Sequence, residues 1–599
     1  MGIRGLTEAI RPYGTPDVLD HSSVVIDGPA LVYKILSGCL VLSPRDQTSF
    51  CQPSYALLGQ LTIGWLDKLK AHDVTVRKIY FDGYLPSSKW DVRIQRLISQ
   101  SEKLKKFASQ QSLGVLVPSE DTFGDVVPDI ALTGAKGHYS NQQLPHPAFL
   151  VPSVIHMLRQ HAHWGNLVQL VPGEADDFCI ADITRNGGTV LTGDSDLLVQ
   201  DLGTDGYVCF FSDLAETRRD GESKLQALRF NYQELNQKLC IEDIGGLTRI
   251  AFEMDLRKAP LDIAIKFAKK DIANSAESPK FAIFKEEHTV RTLVPPDHPV
   301  LGAINTLDPR MSELVIQCQL AQAPRIIPTS GTTRGYDRLS MFLPIMMEDP
   351  CKKSSWSMST NIRALAYSLV EGSAPCRGQP VIEYRLLSAG RRQAGREVEV
   401  FDRPQTAERC KGLCSALDSL TQMPILKEGL WFSFAVWTEL QWQASEGGSP
   451  VSPLLLHRAL RSKSTPERYP WDLIHFTAQV NATLYSLRML QQALSVSRSL
   501  SPNQEAQGVQ NLRKWLTGFP SIEQWPTLGT IQTLLRHLDS SGLSSIATKL
   551  GVTLEDPTKS SVNKSKKRKK SSSSVGRTGR RLPSSGSSNP FALLDQGED

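Results

Sequence analysis

Between residues 23 and 211 short apolar runs alternate with amphipathic stretches, and most of the runs end on a carboxylate. "SVVID" is a strand stopped by Asp27, and "GPALVYKILSGCL" continues from it at helical spacing. Residues 54–71 form an amphipathic helix that feeds "VRKIYFDG", a second strand stopped by Asp82. "LVPSVIHMLRQHAHW" then reads as helix, "LVQLV" as strand, "EADDFCIADITRN" as helix, and "GTVLTGDSD" and "GYVCFF" as strands. Alternation of this kind predicts a mainly parallel sheet in an α/β layer fold. The carboxyl ends of parallel strands share one edge of the sheet, where such folds bind their ligands.

That edge is predicted to gather six acids. Asp27, Asp82, Asp194 and Asp196 fall at strand ends, and Glu174 and Asp176 open the helix before the last of these strands. A helix's first turn tolerates negative charge because its N–H groups are unpaired and its dipole is positive there. Carboxylates this close repel one another unless cations lie between them. Oxygen-only ligands suit Mg²⁺ or Mn²⁺, and two such ions roughly 4 Å apart are suited to in-line displacement at a phosphodiester. Taken singly, an Asp after a strand is more often a cap or turn former. Asp177 and Asp182, off this pattern, are expected on the surface of their helix.

A cationic ridge follows Asp82. A helix starting near Ser88 places Lys89, Arg93 and Arg96 at i, i+4 and i+7, on one face, with Trp90, Ile94, Leu97 and Ile98 on the apolar face. Acids that hold metals beside bases that attract and orient phosphate are what a phosphate substrate requires.

From about residue 281 the pattern becomes helix-rich, with segments such as "LKEGLWFSFAVWTELQWQAS" and one hairpin, "PVIEYRLLSAGRRQAGREVEVF". The last residues are rich in Ser, Lys, Arg and Gly, with little to bury, and predict a disordered tail. The net charge is only +5, but residues 561–581 hold nine Lys or Arg and no acid, so the basic excess belongs to the tail. Its "KSKKRKK" stretch, with Lys566, Lys567, Arg568, Lys569 and Lys570, reads as a nuclear localisation signal, with cytoplasmic residence as the alternative. Ten cysteines without paired spacing argue against a disulfide scaffold and for a reducing compartment, and no apolar run is long enough to span a membrane.

"MGIRGL" at the N terminus, "VVIDG" followed by Tyr33, "YFDG" followed by Lys89 and Arg96, "GEADD" and "TGDSDLLV" together resemble the flap endonuclease/XPG structure-specific nuclease superfamily, whose nuclease domain is PIN-like. The Asteroid branch is the most similar. The resemblance covers roughly residues 1–260, with an N-region of about 1–115 and an internal region of about 145–260. It implies a three-layer nuclease domain over 1–280, a helix-rich Asteroid-like domain over 281–560 and the basic tail over 561–599. It further implies that Asp27, Asp82, Glu174, Asp176, Asp194 and Asp196 bind two Mg²⁺ or Mn²⁺ ions. Lys89 and Arg96 would contact the scissile phosphate, Tyr33 would stack on a base, and Gly2 would lie near the active site, with Arg93 added from the ridge. The family's seventh acid has Asp255 as its candidate here, but the glycine-rich duplex grip that follows it is missing.

Two functions follow. The first is a metal-dependent endonuclease acting on single-stranded or branched DNA, or on RNA, with a role in DNA repair. The second is a scaffold with little or no turnover, acting in nucleic-acid binding or post-transcriptional regulation. The rewritten stretch around Asp255 favours the second, and the intact acids with Lys89 and Arg96 favour the first.

Overall fold

Seven strands assemble a central sheet: β1 (Thr15–Val18), β2 (Ser23–Asp27), β3 (Thr75–Asp82), β5 (Val168–Val171), β6 (Gly188–Thr192), β7 (Gly206–Arg219) and β8 (Glu222–Phe230), with β4 (Val115–Leu116) lying outside it. Their spatial order is β1-β8-β7-β6-β2-β3-β5. From β7 through β5 every pairing is parallel, while β8 runs antiparallel to both β7 and β1. The predicted mixed α/β fold with a mainly parallel sheet is therefore present. The antiparallel edge was not expected, because "GYVCFF" is only the start of a strand that continues to Arg219 and turns back as β8. The computed structural model describes residues 2–42, 52–117, 129–132, 144–219, 222–272, 279–289, 294–295, 297–319, 339–371, 378–385, 395–423, 429–461, 467–500 and 506–554.

The sheet is buried on both faces, as the unbroken apolar runs require. Val25, Tyr80 and Val190 pack in one cluster with Ala175, Cys179 and Ile183 of the helix Ala175–Asn186. The intervening Val24, Ile26, Ile79 and Phe81 alternate to the opposite face, which the helices Gly28–Leu42 and Tyr55–Ala71 cover. The chain leaves β2 to build β3 and β5 on one side, then returns to place β6 on the other. The carboxyl ends of β2 and β6 are thus a topological switch point, and Asp27 sits there with Gly28 behind it. A side chain at Gly28 would collide with the Tyr80 carbonyl and the Phe81 ring, so the turn from β2 into its helix admits no Cβ.

The later half is helix-rich, as expected, and holds a three-stranded sheet of β9 (Leu339–Phe342), β10 (Val381–Tyr384) and β11 (Arg396–Val398). β10 and β11 are the anticipated antiparallel hairpin, and β9 adds to β10 in parallel. A fully buried ion pair of Arg363 with Glu383, with Tyr367 donating to the same carboxylate at 2.9 Å, ties β10 to the helix Thr360–Glu371. The boundary expected near residue 280 is crossed by contacts. β4 pairs with β12 (Arg468–Tyr469), and the Phe149 ring stacks on Tyr485 of the helix Trp471–Leu500 with centroids 4.5 Å apart. Residues 1–552 form one compact unit. The expected tail, including Lys566 to Lys570, lies outside the described residues. Among the described residues no helix is long and apolar enough to cross a membrane.

Candidate active site

Each acid reaches the sheet edge by a different local device. Asp27 ends β2, where its Oδ1 accepts from the Ala30 N–H at 3.2 Å and its Oδ2 accepts from the Thr192 hydroxyl at 2.7 Å, across the switch point from β6. Asp82 ends β3, and its Oδ1 accepts from the Ala175 N–H at 2.7 Å, capping the helix Ala175–Asn186 from outside. Glu174 is that helix's N-cap and Asp176 lies in its first turn. Asp194 caps the short helix Ser195–Val199 by accepting from the Asp196 N–H at 3.1 Å, so one turn presents both acids of "GDSD".

The six acids feel one another's charge. Burial, with Asp194 adding to it, pushes the Asp27 carboxyl from 3.8 up to about 6, against the hydrogen bonds from Thr192 and Ala30. Asp82 is pushed up to about 7 by burial first, then by Asp27 and Glu174. Asp176 stands well above the usual carboxylate range because it is buried and faces Asp27, Asp194, Asp82 and Glu174. Asp194 is also raised, by burial and by Asp196. Asp196 goes the other way: burial opposes its charge, but His288 and Lys89 hold it below the usual value. Four neighbouring acids raised by burial and mutual repulsion mark a cleft short of positive charge.

Two of the expected bases reach this cleft. The Lys89 Nζ lies 3.3 Å from Glu174 Oε1, and although burial disfavours its charge, Glu174, Asp196 and Asp176 raise it. Arg96 is exposed on the helix Trp90–Gln110, with its charge within reach of Asp82 and Tyr33. Tyr33 is 44 % exposed at the cleft, its ring edge-on to His146 at 5.2 Å. Gly2 lies against Asp194 and Ser195, so closely that a Cβ there would meet the Ser195 hydroxyl and the Asp194 carboxylate. Its φ of +83° also favours glycine.

Two expected residues are placed elsewhere. Arg93 lies on the predicted helix face, but the helix Pro309–Gln319 and β9 cover it: both its terminal guanidinium nitrogens bond the Glu313 carboxylate, and its Cζ lies 3.8 Å from the Phe342 ring centroid. It is a half-buried structural charge and not part of the cationic ridge. Asp255 points to solvent from the helix Gly246–Arg257 and pairs with Lys258 at 2.8 Å. It does not join the six acids.

Two residues near the cleft were not foreseen. Asp182, expected on the surface, instead accepts from Arg77 at 2.7 Å and from the Tyr80 hydroxyl at 2.9 Å, although burial opposes its charge. These bonds fasten the helix carrying Glu174 and Asp176 to β3, which carries Asp82. His288, just past the helix Pro279–Glu287, places Nε2 3.9 Å from Asp196 Oδ1, and burial is outweighed by Asp196 in raising its basicity. Asp182 could have been paired with Arg77 only by knowing the strand–helix register. His288 had no signal in the sequence.

Among the described residues, no three His, Cys, Asp or Glu side chains are gathered closely enough to hold one ion between them. Their carboxylates are drawn instead to the nearest protein donors: Ala30, Thr192, Ala175, Lys89 and His288.

Residues 146–400 match a family described as XPG domain containing. The match points to the XPG/flap endonuclease superfamily, a family of nucleases that act on nucleic acid. It takes in Glu174, Asp176, Asp194 and Asp196, while Asp27 and Asp82 precede it and join the site through the sheet. No curated protein matches the chain at a significant level.

Proposed function

We propose that the chain is a divalent-metal-dependent endonuclease of the Asteroid branch, cutting single-stranded or branched DNA, or RNA, with a role in DNA repair. The observation that carries this reading is the cluster of six acids at the switch-point edge, with Asp27, Asp82 and Asp176 all raised by burial among like charges. A protein gains nothing in stability from such a cluster, and a bound cation would remove the repulsion.

The donor set suits Mg²⁺ or Mn²⁺. Its ligands are carboxylate oxygens, and Mg²⁺ keeps several waters and takes only one or two carboxylates with substrate phosphates, so pairs of acids fit better than a closed cage. Asp27, Asp82, Glu174 and Asp176 would serve one side of the cleft and Asp194 and Asp196 the other. When bound, two such ions supply Lewis-acid stabilisation of the charge that develops on the phosphate oxygens. Lys89 would release Glu174 and orient the phosphate, Arg96 would hold the next stretch of backbone, and Tyr33 would offer its exposed ring to a base. Asp182 would act through Arg77 and Tyr80 by holding the acidic helix in register. Burial and Asp182 raise the Tyr80 hydroxyl, which keeps it protonated as a donor.

The purified full chain with Mg²⁺ or Mn²⁺ is expected to cut a flap or single-stranded substrate, and Asp194→Asn to abolish cutting. Inactivity of the wild type on flap, bubble and single-stranded DNA and RNA would defeat the proposal. The scaffold reading draws on Asp255, the candidate seventh acid, which faces solvent and pairs with Lys258 instead of joining the cleft. Cation binding separates the two, because a scaffold has no use for ions among six acids. We also propose nuclear residence, carried by the "KSKKRKK" run.

A further inference from the structure

We infer that His146 and Lys103 continue the strand path beyond Tyr33 and Arg96, forming a second nucleotide subsite that takes the base and phosphate of an unpaired strand and not of a duplex. The inference rests on the nuclease reading above, but it uses none of the acids.

Two aromatic rings stand at the surface here, each beside a cation of the same helix. Tyr33 is 44 % exposed, and His146 is exposed as well. Arg96 has its charge within reach of Tyr33, and Lys103 has its charge within reach of His146. Arg96, Gln100 and Lys103 stand at i, i+4 and i+7 of the helix Trp90–Gln110, on one face, with the two cations about 10 Å apart along its axis. The acids of this helix, Asp91 and Glu102, lie off that face. A ring paired with a cation, repeated along a line, matches an unpaired strand, because every base has a face to stack and every phosphate a charge to neutralise.

His146 is fixed before any strand arrives. Its N–H donates to Gln100 Oε1 at 3.0 Å, which ties it to the cationic helix. The carbonyl of Pro145 before it accepts from Gln52 Nε2 at 2.9 Å, and the carbonyl of Pro147 after it accepts from the Leu150 N–H at 3.2 Å. Pro147 also confines the His146 backbone to extended conformations. A side chain mounted on a backbone held this way loses less freedom when a base stacks on it.

The angle between the rings decides which strand suits the subsite. Tyr33 and His146 meet at 61° with centroids 5.2 Å apart, so they line a corner and not one flat stack. Neighbouring bases of a duplex stay parallel and cannot lie on both rings. An unpaired strand turns its bases independently and can lay one on each.

The test is fluorescence anisotropy of the full chain in chelator, with labelled oligothymidine, a fully abasic strand of the same length and a blunt duplex. His146→Ala is expected to lose about tenfold on oligothymidine and nothing on the abasic strand or the duplex. His146→Phe, which keeps a flat ring, is expected to bind as the wild type does. Lys103→Ala is expected to weaken oligothymidine and the abasic strand by the same factor, and to lower the slope of log affinity against log salt by about 0.7. A His146→Ala loss that is equal on thymidine and abasic strands, or absent from both, overturns the inference, as does a His146→Phe variant as weak as the alanine one. Cutting by the wild type with Mn²⁺ is read on the same single strand. Cutting that persists while the base-specific loss is missing leaves the nuclease reading standing, and a wild type that neither binds nor cuts overturns both.

Discussion

Asp82→Asn should stabilise the cation-free protein while destroying its response to cations. Asp82 ends β3 inside the cleft, and burial together with Asp27 and Glu174 lifts its carboxyl from 3.8 to about 7. An acid that binds its proton more tightly in the folded state than in the unfolded chain lowers stability as the pH rises above the unfolded value. The penalty is complete above the folded value. At about 1.36 kcal/mol per pH unit, the cost at pH 8 is about 4 kcal/mol, at pH 5 about 2 kcal/mol, and below pH 3.8 close to zero. Asparagine resembles the protonated acid in shape and keeps an oxygen for the Ala175 N–H, so it removes the cost without breaking the helix cap. Chemical denaturation in the presence of a chelator, at pH 8 and at pH 5, measures both differences. With Mn²⁺ at about 100 times its Kd the wild type should gain about 2.7 kcal/mol, and the variant much less. A variant no more stable than the wild type at pH 8, or a gain equal at the two pH values, would refute the claim that burial and its acidic neighbours make Asp82 hold its proton in the folded state.

Two further outcomes are expected. Glu313→Ala leaves the Arg93 guanidinium half-buried without its partner and should cost about 3–5 kcal/mol, while Arg93→Met, which can keep the packing on Phe342, should cost far less and leave strand affinity unchanged. Denaturation and strand-binding titrations check both, and an Arg93→Met variant of normal stability that binds strands weakly would return Arg93 to the nucleic-acid surface. Deleting residues 561–599 should leave the denaturation midpoint unaltered and make a fluorescent fusion cytoplasmic, whereas persistent nuclear accumulation would remove the role given to Lys566–Lys570.

Much of the site could be read before the fold was known, for a simple reason. Strands of a parallel sheet must be fully apolar until they leave the core, so the first acid after each run lies at the ligand-binding edge. Asp27, Asp82 and the "GDSD" pair announce themselves this way, and Glu174 and Asp176 follow because the helix between β5 and β6 must start at that same edge. Local periodicity likewise separated Trp90, Ile94, Leu97 and Ile98, which pack against β9 and β10, from the polar residues of their helix.

Periodicity says which residues share a helix face but not what covers that face. Lys89 and Arg93 look equivalent along the chain. Lys89 precedes the helix and turns to Glu174, whereas Arg93 meets Glu313 and Phe342, brought from more than two hundred residues away. Asp255 was matched by its order along the chain, and the packing of Leu247, Ile250 and Met254 left it facing solvent. His288 stands ninety-two residues beyond Asp196 with no motif around it, and only the return of its helix to the cleft brings the two together. The alternating fold and the placing of six acids at one sheet edge could be read along the chain, because burial and helix starts are local demands on residue type. Tertiary structure alone decided which charges remain free to act, because a charge's partner is set by what packs against it.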